Sequence, residues 1–536
     1  MAAAVLAAAF LFAALPLPSQ PLALPAPVSG PTARGAFHIH TNRSDGSGSP
    51  DDVAAAAARA GLNFIILTDH GDGTRKPDAP LYRAGVLVID AVELSTEAGH
   101  YIAIGLAQTP YPLRGEARDV VADVRRLGGF GVVAHPDSAK PSLQWRDWNA
   151  DFDAMEWLNA DTEWRDERRG LLVRALLRYP FRPAETLASL LDRPDATLAR
   201  WDALTQRRRV VALAGADAHA RAGWMDDDAN GYTPRGWFLK IPSYDASFRT
   251  FAMRVALDRP LGADAAADAR LVVDALRRGA VYTAVDAIAS PATLEFSADS
   301  RTLTARTNAA SGGTIVLRKD GRILAQQPLP ALTMEAPGEG TYRVEVYLDA
   351  APGNPPIPWI VSNPVYLRSD GWGAPSSVVL QPPTITRGIQ GGPWHAEKDD
   401  GSSAQVRQDN YPTGPVELTF RLGGGDRAGQ YAALGIGVGK ALTERRHLAF
   451  TARASRPMRI SVQIRQPQSG HRRQRSIYLD SELRDIIVPF DEMTPAGSGP
   501  PFDAALADTV LFVVDTTNTA PGTEGSFTLE NLRVER

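Results

Sequence analysis

Histidine and carboxylate side chains are unevenly distributed along this sequence of 536 residues. Six of the nine histidines lie between residues 38 and 219, and most of them follow a short apolar run. His38 and His40 end the run GAFHIH, and Asp217 and His219 end VVALAGADAH. Because side chains of a strand alternate between its faces, residues two apart point to the same side. Imidazole and carboxylate groups without thiolate suit zinc, manganese or iron.

Further candidate ligands occupy similar positions in the sequence. Asp69 and His70 close the run NFIILTDH, Glu93 follows GVLVIDAV, and His135 follows GFGVVA. His100 differs, because it begins the run HYIAIG. In an α/β barrel the carboxyl ends of the strands converge on one face, where active sites are built from separate segments. We therefore expect these dispersed side chains to lie close together.

The elements that would position these residues are strands and helices in alternation. From residue 36 to about residue 288, short apolar runs alternate with helix-like stretches such as the alanine-rich segment after Pro50. Continuous apolar strands separated by helices are typical of a parallel sheet that is covered on both faces. This number of units in one domain indicates a closed or nearly closed barrel.

Five separate motifs resemble, in order, those of the polymerase and histidinol phosphatase (PHP) superfamily of metal-dependent phosphoesterases. They are HIHTNRSDG, TDHGD, VELS with GHYIAIG, AHP, and GADAH. The resemblance covers about residues 34–288 and implies a distorted (β/α)7 TIM-like barrel with two or three divalent zinc, manganese or iron ions. It places the metal ligands at His38, His40, Asp45, His70, Glu93, His100, His135, Asp217 and His219.

The resemblance implies hydrolysis of a phosphomonoester or phosphodiester by a metal-activated hydroxide. Three dications would carry about +6 against three ligand carboxylates, so the site would prefer an anionic substrate. By family analogy Glu93 bridges two metals, and Asp69 is expected to orient a neighbouring ligand. Glu93, Asp69 and Asp217 are the predicted catalytic residues.

A phosphate group also needs cationic donors beside the metals. Four basic residues lie just past ligand-bearing segments and are candidates for binding a small phosphorylated substrate: Arg75, Lys140, Arg146 and Arg221. Solvated surface charge is the competing interpretation for each of them.

After Asp286 the pattern changes to alternating strands with turn signals. It predicts an Ig-like β-sandwich over residues 289–368, a Gly, Pro and Ser-rich linker over 369–392, and a jelly-roll sandwich over 393–536. The last of these resembles galactose-binding-like jelly rolls. Four aromatic residues of these β domains could form a carbohydrate platform, although buried tryptophans are commoner: Trp359, Trp372, Trp394 and Tyr411. The remaining histidines are expected to be structural: His395, His447 and His471.

The N-terminus resembles an export signal. Residues 2–15 contain no polar side chain, and four prolines follow by residue 25. We assign residues 1–30 to a signal peptide and linker, residues 31–288 to the metallohydrolase barrel, and the protein to the periplasm or the extracellular space. An uncleaved anchor is the alternative, and we expect no other transmembrane span because about 20 apolar residues are needed.

Composition excludes several classes of function. The formal charge of −4 gives no indication of nucleic-acid polymer binding, and the absence of cysteine excludes thiolate metal sites and disulfides. Two alternatives to a phosphoesterase stay open. The barrel could hydrolyse another bond, such as a C–N bond, because an activated hydroxide serves both reactions. The chain could also be a cell-surface binding protein whose barrel is stabilised by metal.

Overall fold

The computed structural model describes residues 16–25, 30–223, 238–369, 386–388, 392–410, 414–425, 429–443, 445–466, 470–496 and 506–535. The chain forms two compact units, mostly of β-strands. Unit 1 comprises Met1–Asp72, Lys76–Ala107 and Val121–Pro375, and unit 2 comprises Gly73–Arg75, Gln108–Val120 and Ser376–Arg536. The domain boundaries given above stay predictions.

The first part of the chain contains sixteen strands and eight helices in the described residues. The strands are β1 (Leu22–Ala23), β2 (Thr32–Ile39), β3 (Phe64–Leu67), β4 (His70–Gly71), β5 (Leu81–Arg83), β6 (Val86–Asp90), β7 (Val92–Thr96), β8 (Gly99–Ile104), β9 (Phe130–Val133), β10 (Ala154–Asn159), β11 (Val211–Ala218), β12 (Ala222–Gly223), β13 (Phe238–Leu239), β14 (Ala252–Ala256), β15 (Val281–Ala284) and β16 (Ala289–Ser290). The helices are α1 (Pro50–Arg59), α2 (Ala117–Arg126), α3 (Ala160–Arg165), α4 (Arg169–Arg178), α5 (Pro183–Ala188), α6 (Asp195–Thr205), α7 (Tyr244–Thr250) and α8 (Ala265–Arg277).

The large sheet of unit 1 closes on itself. Strand β2 pairs in parallel with β3 on one side and with β11 on the other. The parallel order continues through β3 with β6, β9 with β10, and β10 with β11. Strand β8 lies between β7 and β9 in the sheet and is antiparallel to both.

The connections depart from the regular alternation that the sequence predicted. Helix α1 joins β2 to β3, α2 joins β8 to β9, and α3 to α6 join β10 to β11. In contrast, β3 leads to β6 through the short strand β5, and β9 leads to β10 without a helix in the described residues. The (β/α)7 form of the barrel therefore stays a prediction.

Continuous apolar sequence explains why these strands lie inside. Every residue of β3 and β6 is buried, and Phe37 and Phe64 pack in the same core cluster. A strand that is covered on both faces needs apolar residues at successive positions. Helix α1 begins at Ser49, whose side chain accepts a hydrogen bond from the Asp52 backbone N–H while the Asp52 carboxylate binds the Ser49 backbone N–H.

Eight further strands complete unit 1. They are β17 (Leu294–Asp299), β18 (Thr302–Thr307), β19 (Gly313–Lys319), β20 (Arg322–Pro328), β21 (Ala331–Glu335), β22 (Gly340–Leu348), β23 (Ile360–Ser362) and β24 (Val365–Leu367). Strand β23 pairs with β15, so this sheet continues the large sheet, while β17, β18 and β21 form a separate sheet. Trp359 is fully buried in the core of this region, which is the commoner of the two uses considered for these tryptophans, so it cannot contribute to a carbohydrate platform.

Part of the predicted leader is incorporated into unit 1. Strand β1 pairs in parallel with β16, and the Arg178 and Arg182 guanidinium groups donate to the carbonyl oxygens of Pro16 and Pro18. Residues 1–15 and most of the predicted linker 369–392 lie outside the described residues. In the part of the chain that is described, no helix has the length and apolar character needed to cross a membrane.

Unit 2 consists mainly of two six-stranded antiparallel sheets. Its strands are β25 (Thr386–Gly388), β26 (His395–Lys398), β27 (Ser403–Gln408), β28 (Val416–Arg421), β29 (Tyr431–Gly437), β30 (His447–Ala454), β31 (Met458–Arg465), β32 (Arg472–Leu479), β33 (Arg484–Pro489), β34 (Thr494–Pro495), β35 (Thr509–Asp515) and β36 (Glu524–Glu535). Trp394 packs half-buried against the apolar core, while Trp372 and Tyr411 lie outside the described residues.

Candidate metal centre

The structure brings all nine predicted ligands together in unit 1. Their side chains form four overlapping groups in which one ligand atom from each member lies within 4.8 Å of the others. The groups are His40, Asp45, His70 and His219; His38, His135 and Asp217; His38, His40 and Glu93; and His70, Glu93 and His100. Each group has the donor types and the proximity that a divalent ion requires.

Four donor atoms surround one point at the centre of this cluster. His38 Nε2 lies 3.4 Å from Glu93 Oε2 and 3.3 Å from Asp217 Oδ1. His40 Nε2 lies 3.2 Å and 3.4 Å from the same two oxygens. Donors about 2.1 Å from a shared ion lie about 3.0 Å apart at octahedral angles and about 3.4 Å apart at tetrahedral angles. These separations therefore fit a shared cation.

Three of these four atoms have no hydrogen-bond partner among the described residues. They are His38 Nε2, His40 Nε2 and Glu93 Oε2, and all three are buried. A buried polar atom without a partner costs free energy, so native proteins pair such atoms with protein, water or an ion. The unsatisfied atoms converge on one point, and the residues present therefore fit a bound divalent ion.

Glu93 contacts other histidines through its second oxygen. Glu93 Oε1 lies 2.8 Å from His100 Nδ1 and 3.0 Å from His135 Nε2. The two oxygens thus face different sets of imidazoles, which is the arrangement expected of a bridging carboxylate. His100 can take part because β8 is antiparallel, so the beginning of this strand lies beside the ends of its neighbours.

Asp45 provides a third meeting point. Its Oδ2 lies 3.2 Å from His219 Nε2 and 3.6 Å from His70 Nε2, and its Oδ1 lies 3.3 Å from His40 Nδ1. His70 also approaches Glu93, with 3.3 Å between Nδ1 and Oε2. Asp45 and Glu93 are therefore linked through His70, while the number of ions stays a prediction.

Strand alternation alone does not explain why His38 and His40, or Asp217 and His219, face the same site. His38 and Asp217 have φ angles of 62° and 41°, and His135 has 28°. The pairing of β11 with β2 shifts register between Gly215 and Ala218. The structure agrees with the prediction that each pair faces one site, but the alternation of side chains along a strand is only part of the explanation. Left-handed backbone is uncommon in residues other than glycine, although Asp and His adopt it more readily than most, and it is concentrated at functional sites.

Asp69 holds the loop that carries Asp45. Its carboxylate accepts hydrogen bonds from Thr41 N, Thr41 Oγ1 and Ser44 Oγ, each at 2.7 Å. The side chain is buried and points into the loop after His40. Asp69 therefore holds the loop through one backbone N–H and two side-chain hydroxyls, and its role in orienting a ligand stays a prediction.

Sequence reasoning missed Glu156, which lies behind the ligands. This fully buried residue of β10 places Oε1 2.6 Å from His38 Nδ1, while Oε2 accepts from His135 N at 2.6 Å and Asn159 Nδ2 at 2.8 Å. A carboxylate on the outer nitrogen fixes the tautomer and orientation of a ligand histidine. Gly215 makes room, because a Cβ there would lie 1.8 Å from Glu156 Oε1. The available signal was one acid within the apolar segment AMEWLN.

Tyr244 was also missed. Its hydroxyl, at the start of α7, lies 2.8 Å from the carbonyl oxygen of His40 and 3.1 Å from that of His219. It also accepts from Gly48 N at 3.2 Å. The hydroxyl thus joins the backbones of two ligand-bearing segments, and nothing in the local sequence distinguishes this tyrosine.

The carboxylates attract positive charge strongly in this cavity. Burial alone raises the pKa of Glu93, but the imidazoles of His70, His38 and His100 outweigh it and hold that pKa well below its usual range. Burial lowers the pKa of His40, yet Asp45, Asp217 and Glu93 together raise it to about 10. Because the acids stay ionised and draw cations, the site favours a metal ion between them.

The four candidate phosphate contacts have different environments. Arg221 lies beside a ligand-bearing segment, with Nη1 3.4 Å from the carbonyl oxygen of Asp45 and its guanidinium 4.2 Å from the Phe238 ring centre. Arg146 is engaged elsewhere, because it donates to the carbonyl oxygens of Glu97 and Pro141. Lys140 is exposed, and Arg75 is exposed in unit 2. The phosphate contacts stay predictions.

Comparisons with known proteins identify no family for the chain. No protein-family model matches it, and no curated protein matches it. Among solved structures, a two-domain protein from Bacteroides vulgatus that contains a predicted PHP-like metal-dependent phosphoesterase is 14% identical, with a TM-score of 0.30, over 64% of this chain and 99% of that chain. A family 11 carbohydrate-binding module from Clostridium thermocellum is 15% identical, with a TM-score of 0.23, over 28% of this chain and 94% of that chain.

A mutant form of a family 29 carbohydrate-binding module is 14% identical, with a TM-score of 0.17, over 26% of this chain and 92% of that chain. At TM-scores this low, none of these similarities supports a conclusion about fold or activity. The cluster of predicted ligands is therefore the basis of the proposed function.

Proposed function

We propose that this protein is a metal-dependent phosphoesterase that hydrolyses a phosphomonoester or a phosphodiester. The observation that carries the proposal is the central set of four donor atoms from His38, His40, Glu93 and Asp217, three of which are buried without a hydrogen bond in the described residues. Nitrogen and oxygen donors at these separations suit divalent ions such as zinc, manganese or iron. The ion identity, and a count of two or three, are part of the proposal.

The positive charge around the cluster favours an anionic substrate. Six imidazoles and the Arg221 guanidinium surround three acidic ligands, and bound dications would leave a net positive charge. A phosphate ester supplies the complementary negative charge, whereas a neutral amide does not. The five motifs shared with PHP phosphoesterases, and the (β/α)7 barrel that they imply, agree with this choice.

The chain's own residues have separable tasks in this proposal. Divalent ions at the cluster would supply an activated water nucleophile and Lewis acids for the phosphoryl oxygens. Glu93 presents one oxygen to each set of imidazoles, and Asp217 faces His38 and His40. Glu156 fixes the ring of His38, and Asp69 holds the loop of Asp45. We assign to Arg221, whose guanidinium lies beside the carbonyl oxygen of Asp45, the task of binding and orienting the phosphate.

Metal analysis coupled to a substrate panel tests the proposal. We expect protein purified without chelator to contain at least one divalent ion per chain and to hydrolyse phosphomonoesters or phosphodiesters. Dialysis against chelator should abolish this activity, and adding zinc or manganese should restore it. Turnover of amides with no turnover of phosphate esters would reject the proposal in favour of C–N hydrolysis. Metal content without any hydrolysis would favour the metal-stabilised binding protein.

Two further parts of the proposal concern other regions of the chain. We propose that the protein is exported, on the basis of the apolar run over residues 2–15, and N-terminal sequencing of periplasmic and secreted fractions would test this. We also retain a carbohydrate ligand for unit 2, although Trp359 cannot contribute to it. Affinity electrophoresis of the whole chain in gels with and without soluble polysaccharide would test that ligand.

A further inference from the structure

Helix α4 presents an apolar surface to solvent. Val173, Leu176 and Leu177 are 59%, 58% and 49% exposed, and they lie at i, i+3 and i+4 on the side of the helix opposite the buried Ala175. Phe181, 61% exposed, follows just beyond the helix. We call Val173, Leu176, Leu177 and Phe181 the α4 stripe. Most exposed apolar residues occur singly, and a contiguous stripe at helical spacing indicates an interaction surface.

Basic residues flank the α4 stripe. Residues 165–182 contain six arginines and two acids, and Arg165 forms an ion pair with Asp161 outside this range. Arg168, Arg169 and Arg174 are exposed and form no ion pair with any residue that the structure describes. Arg169 lies on the same outward face as Val173 and Leu176, by the 100° turn per residue of an α-helix. The surface therefore combines apolar side chains with uncompensated positive charge.

The apolar N-terminal run joins the described chain beside this helix. Arg178, at the end of α4, donates to the Pro16 carbonyl oxygen, and Arg182 donates to that of Pro18. Residues 2–15, which contain no polar side chain, directly precede Pro16. Helix α4 and the residues just after it therefore contact the segment that directly follows the apolar run in the sequence.

We propose that the α4 stripe docks the protein onto a lipid bilayer that contains anionic headgroups. An amphipathic helix of this kind lies in the plane of the interface, with apolar side chains entering the headgroup and acyl boundary. Arg168, Arg169 and Arg174 contact lipid phosphates, and their apolar stems remain on the membrane surface. The helix has only ten residues and does not cross the bilayer.

A second copy of the chain fits this surface less well. A twofold contact through the stripe would gather Arg169 and Arg174 of both protomers into one interface, where their like charges lie close together. This like-charge contact is unfavourable, and four side chains supply only a small part of the roughly 800 Å² per partner that a stable interface buries. An anionic bilayer complements both the apolar and the basic residues. The inference is independent of the proposed phosphoesterase activity.

Co-sedimentation of the full chain with vesicles tests the proposal. We expect binding to vesicles of phosphatidylcholine with about one third phosphatidylglycerol, and weaker binding to pure phosphatidylcholine or at high salt. The variant V173S/L176S/L177S should lower the partition coefficient for the mixed vesicles about tenfold or more. The variant R168E/R169E/R174E should lower it by at least a similar factor and remove its dependence on salt.

The variant I323S/L483S is the matched control, because Ile323 and Leu483 are 52% and 51% exposed but lie outside the α4 stripe. It should bind mixed vesicles as the unchanged chain does. All variants keep the N-terminal run, so any contribution from residues 2–15 is constant. Equal binding by the unchanged chain and both α4 variants would overturn the proposal. So would a dimer that V173S/L176S/L177S converts to monomer without a change in vesicle binding.

Discussion

Units 1 and 2 are both built mainly from strands, yet they bury different kinds of side chain. At the centre of unit 1, His38, His40 and Glu93 are almost wholly inaccessible to solvent. The core of unit 2 is apolar, and His395 is exposed beside Glu397, with 3.1 Å between Nε2 and Oε1.

The difference follows from how each sheet is covered. A sandwich strand has one face in the apolar core and one towards solvent, so a polar side chain can avoid burial by alternation. A closed sheet gathers the ends of several strands around one interior, where polar side chains can satisfy one another or an ion. Several buried imidazoles and carboxylates that converge on one region therefore mark the site of unit 1, whereas a single ion pair in unit 2, such as that of Glu535 with Arg533, does not.

Removing a central ligand should give the largest contrast between the units. We expect His38→Ala and Asp217→Ala each to reduce phosphoester hydrolysis by at least about 1,000-fold, because the loss of one donor weakens the charge stabilisation that bound ions supply. Steady-state kinetics and metal content would be measured together. His395→Ala is the matched control in unit 2 and should leave both unchanged. An active His38→Ala enzyme would remove this cluster as the site.

Glu156 tests whether a buried carboxylate behind the ligands has a positioning role. Glu156→Gln should lower metal affinity or activity by about 10- to 100-fold, because the amide cannot hold the His38 ring as a carboxylate does. Gly215→Ala should have a similar effect, since its Cβ would collide with Glu156 Oε1. Metal titration followed by inductively coupled plasma analysis would measure the affinity.

Glu535→Gln is the control for Glu156→Gln, because Glu535 is equally buried but lies in β36 of unit 2. It should leave metal affinity unchanged even if it lowers thermal stability. Equal metal affinity in Glu156→Gln and the unchanged protein would show that Glu156 is structural only.

Arg221 and Arg146 provide a comparison at the edge of the site. Arg221→Ala should raise KM for a phosphate ester about tenfold, because a charge-assisted hydrogen bond to the substrate is lost. Arg146→Ala should leave KM near its original value, since its guanidinium already binds the carbonyl oxygens of Glu97 and Pro141. The same change in KM for both variants would contradict the assignment of Arg221.

The smallest expected effect is an opposite pH dependence of stability in the two units. Burial, reinforced by the acids Asp192, Asp137 and Asp166, raises the pKa of Glu163 in unit 1 to about 9. The folded state then binds more protons than the unfolded state between about pH 4.5 and 9. The ionisation of Glu163 therefore lowers the free energy of unfolding as the pH rises through this range. Relative to the unchanged protein, Glu163→Gln should therefore raise the Tm by at least about 2 °C more at pH 8 than it does at pH 5.

Glu397 in unit 2 has the reverse sign. Its hydrogen bonds to Arg465, at 2.7 Å and 2.8 Å, outweigh burial and lower its pKa. Its contribution is present above the unfolded pKa and is lost as the pH falls through the folded pKa. Glu397→Gln should therefore slightly lower the Tm of unit 2 at pH 7 and have less effect in acid. Calorimetric scans across pH would compare both variants. The same pH dependence of the change in Tm in both variants would contradict the opposite effects of Glu163 and Glu397.

Most of the nine ligand positions were visible in the sequence because each combines a histidine or a carboxylate with the end of an apolar run, whereas Asp45 and His100 depended on the resemblance to PHP phosphoesterases. His70, Glu93 and His135 follow such runs directly, and convergence of strand ends was sufficient to group them. The change to alternating strands after Asp286 also appeared in the sequence. These features are local in sequence, so spacing and hydrophobic pattern indicate them.

Only tertiary structure decided how these residues meet. His100 joins the site because β8 runs antiparallel, and His38 and Asp217 face it through left-handed backbone that alternation does not predict. Glu156 reaches His38 from 118 positions away, into space that Gly215 leaves open. Strand direction, backbone strain and the second partner of an imidazole depend on contacts between distant segments. The sequence alone thus determined which side chains could bind metal, while the closed sheet determined their common centre.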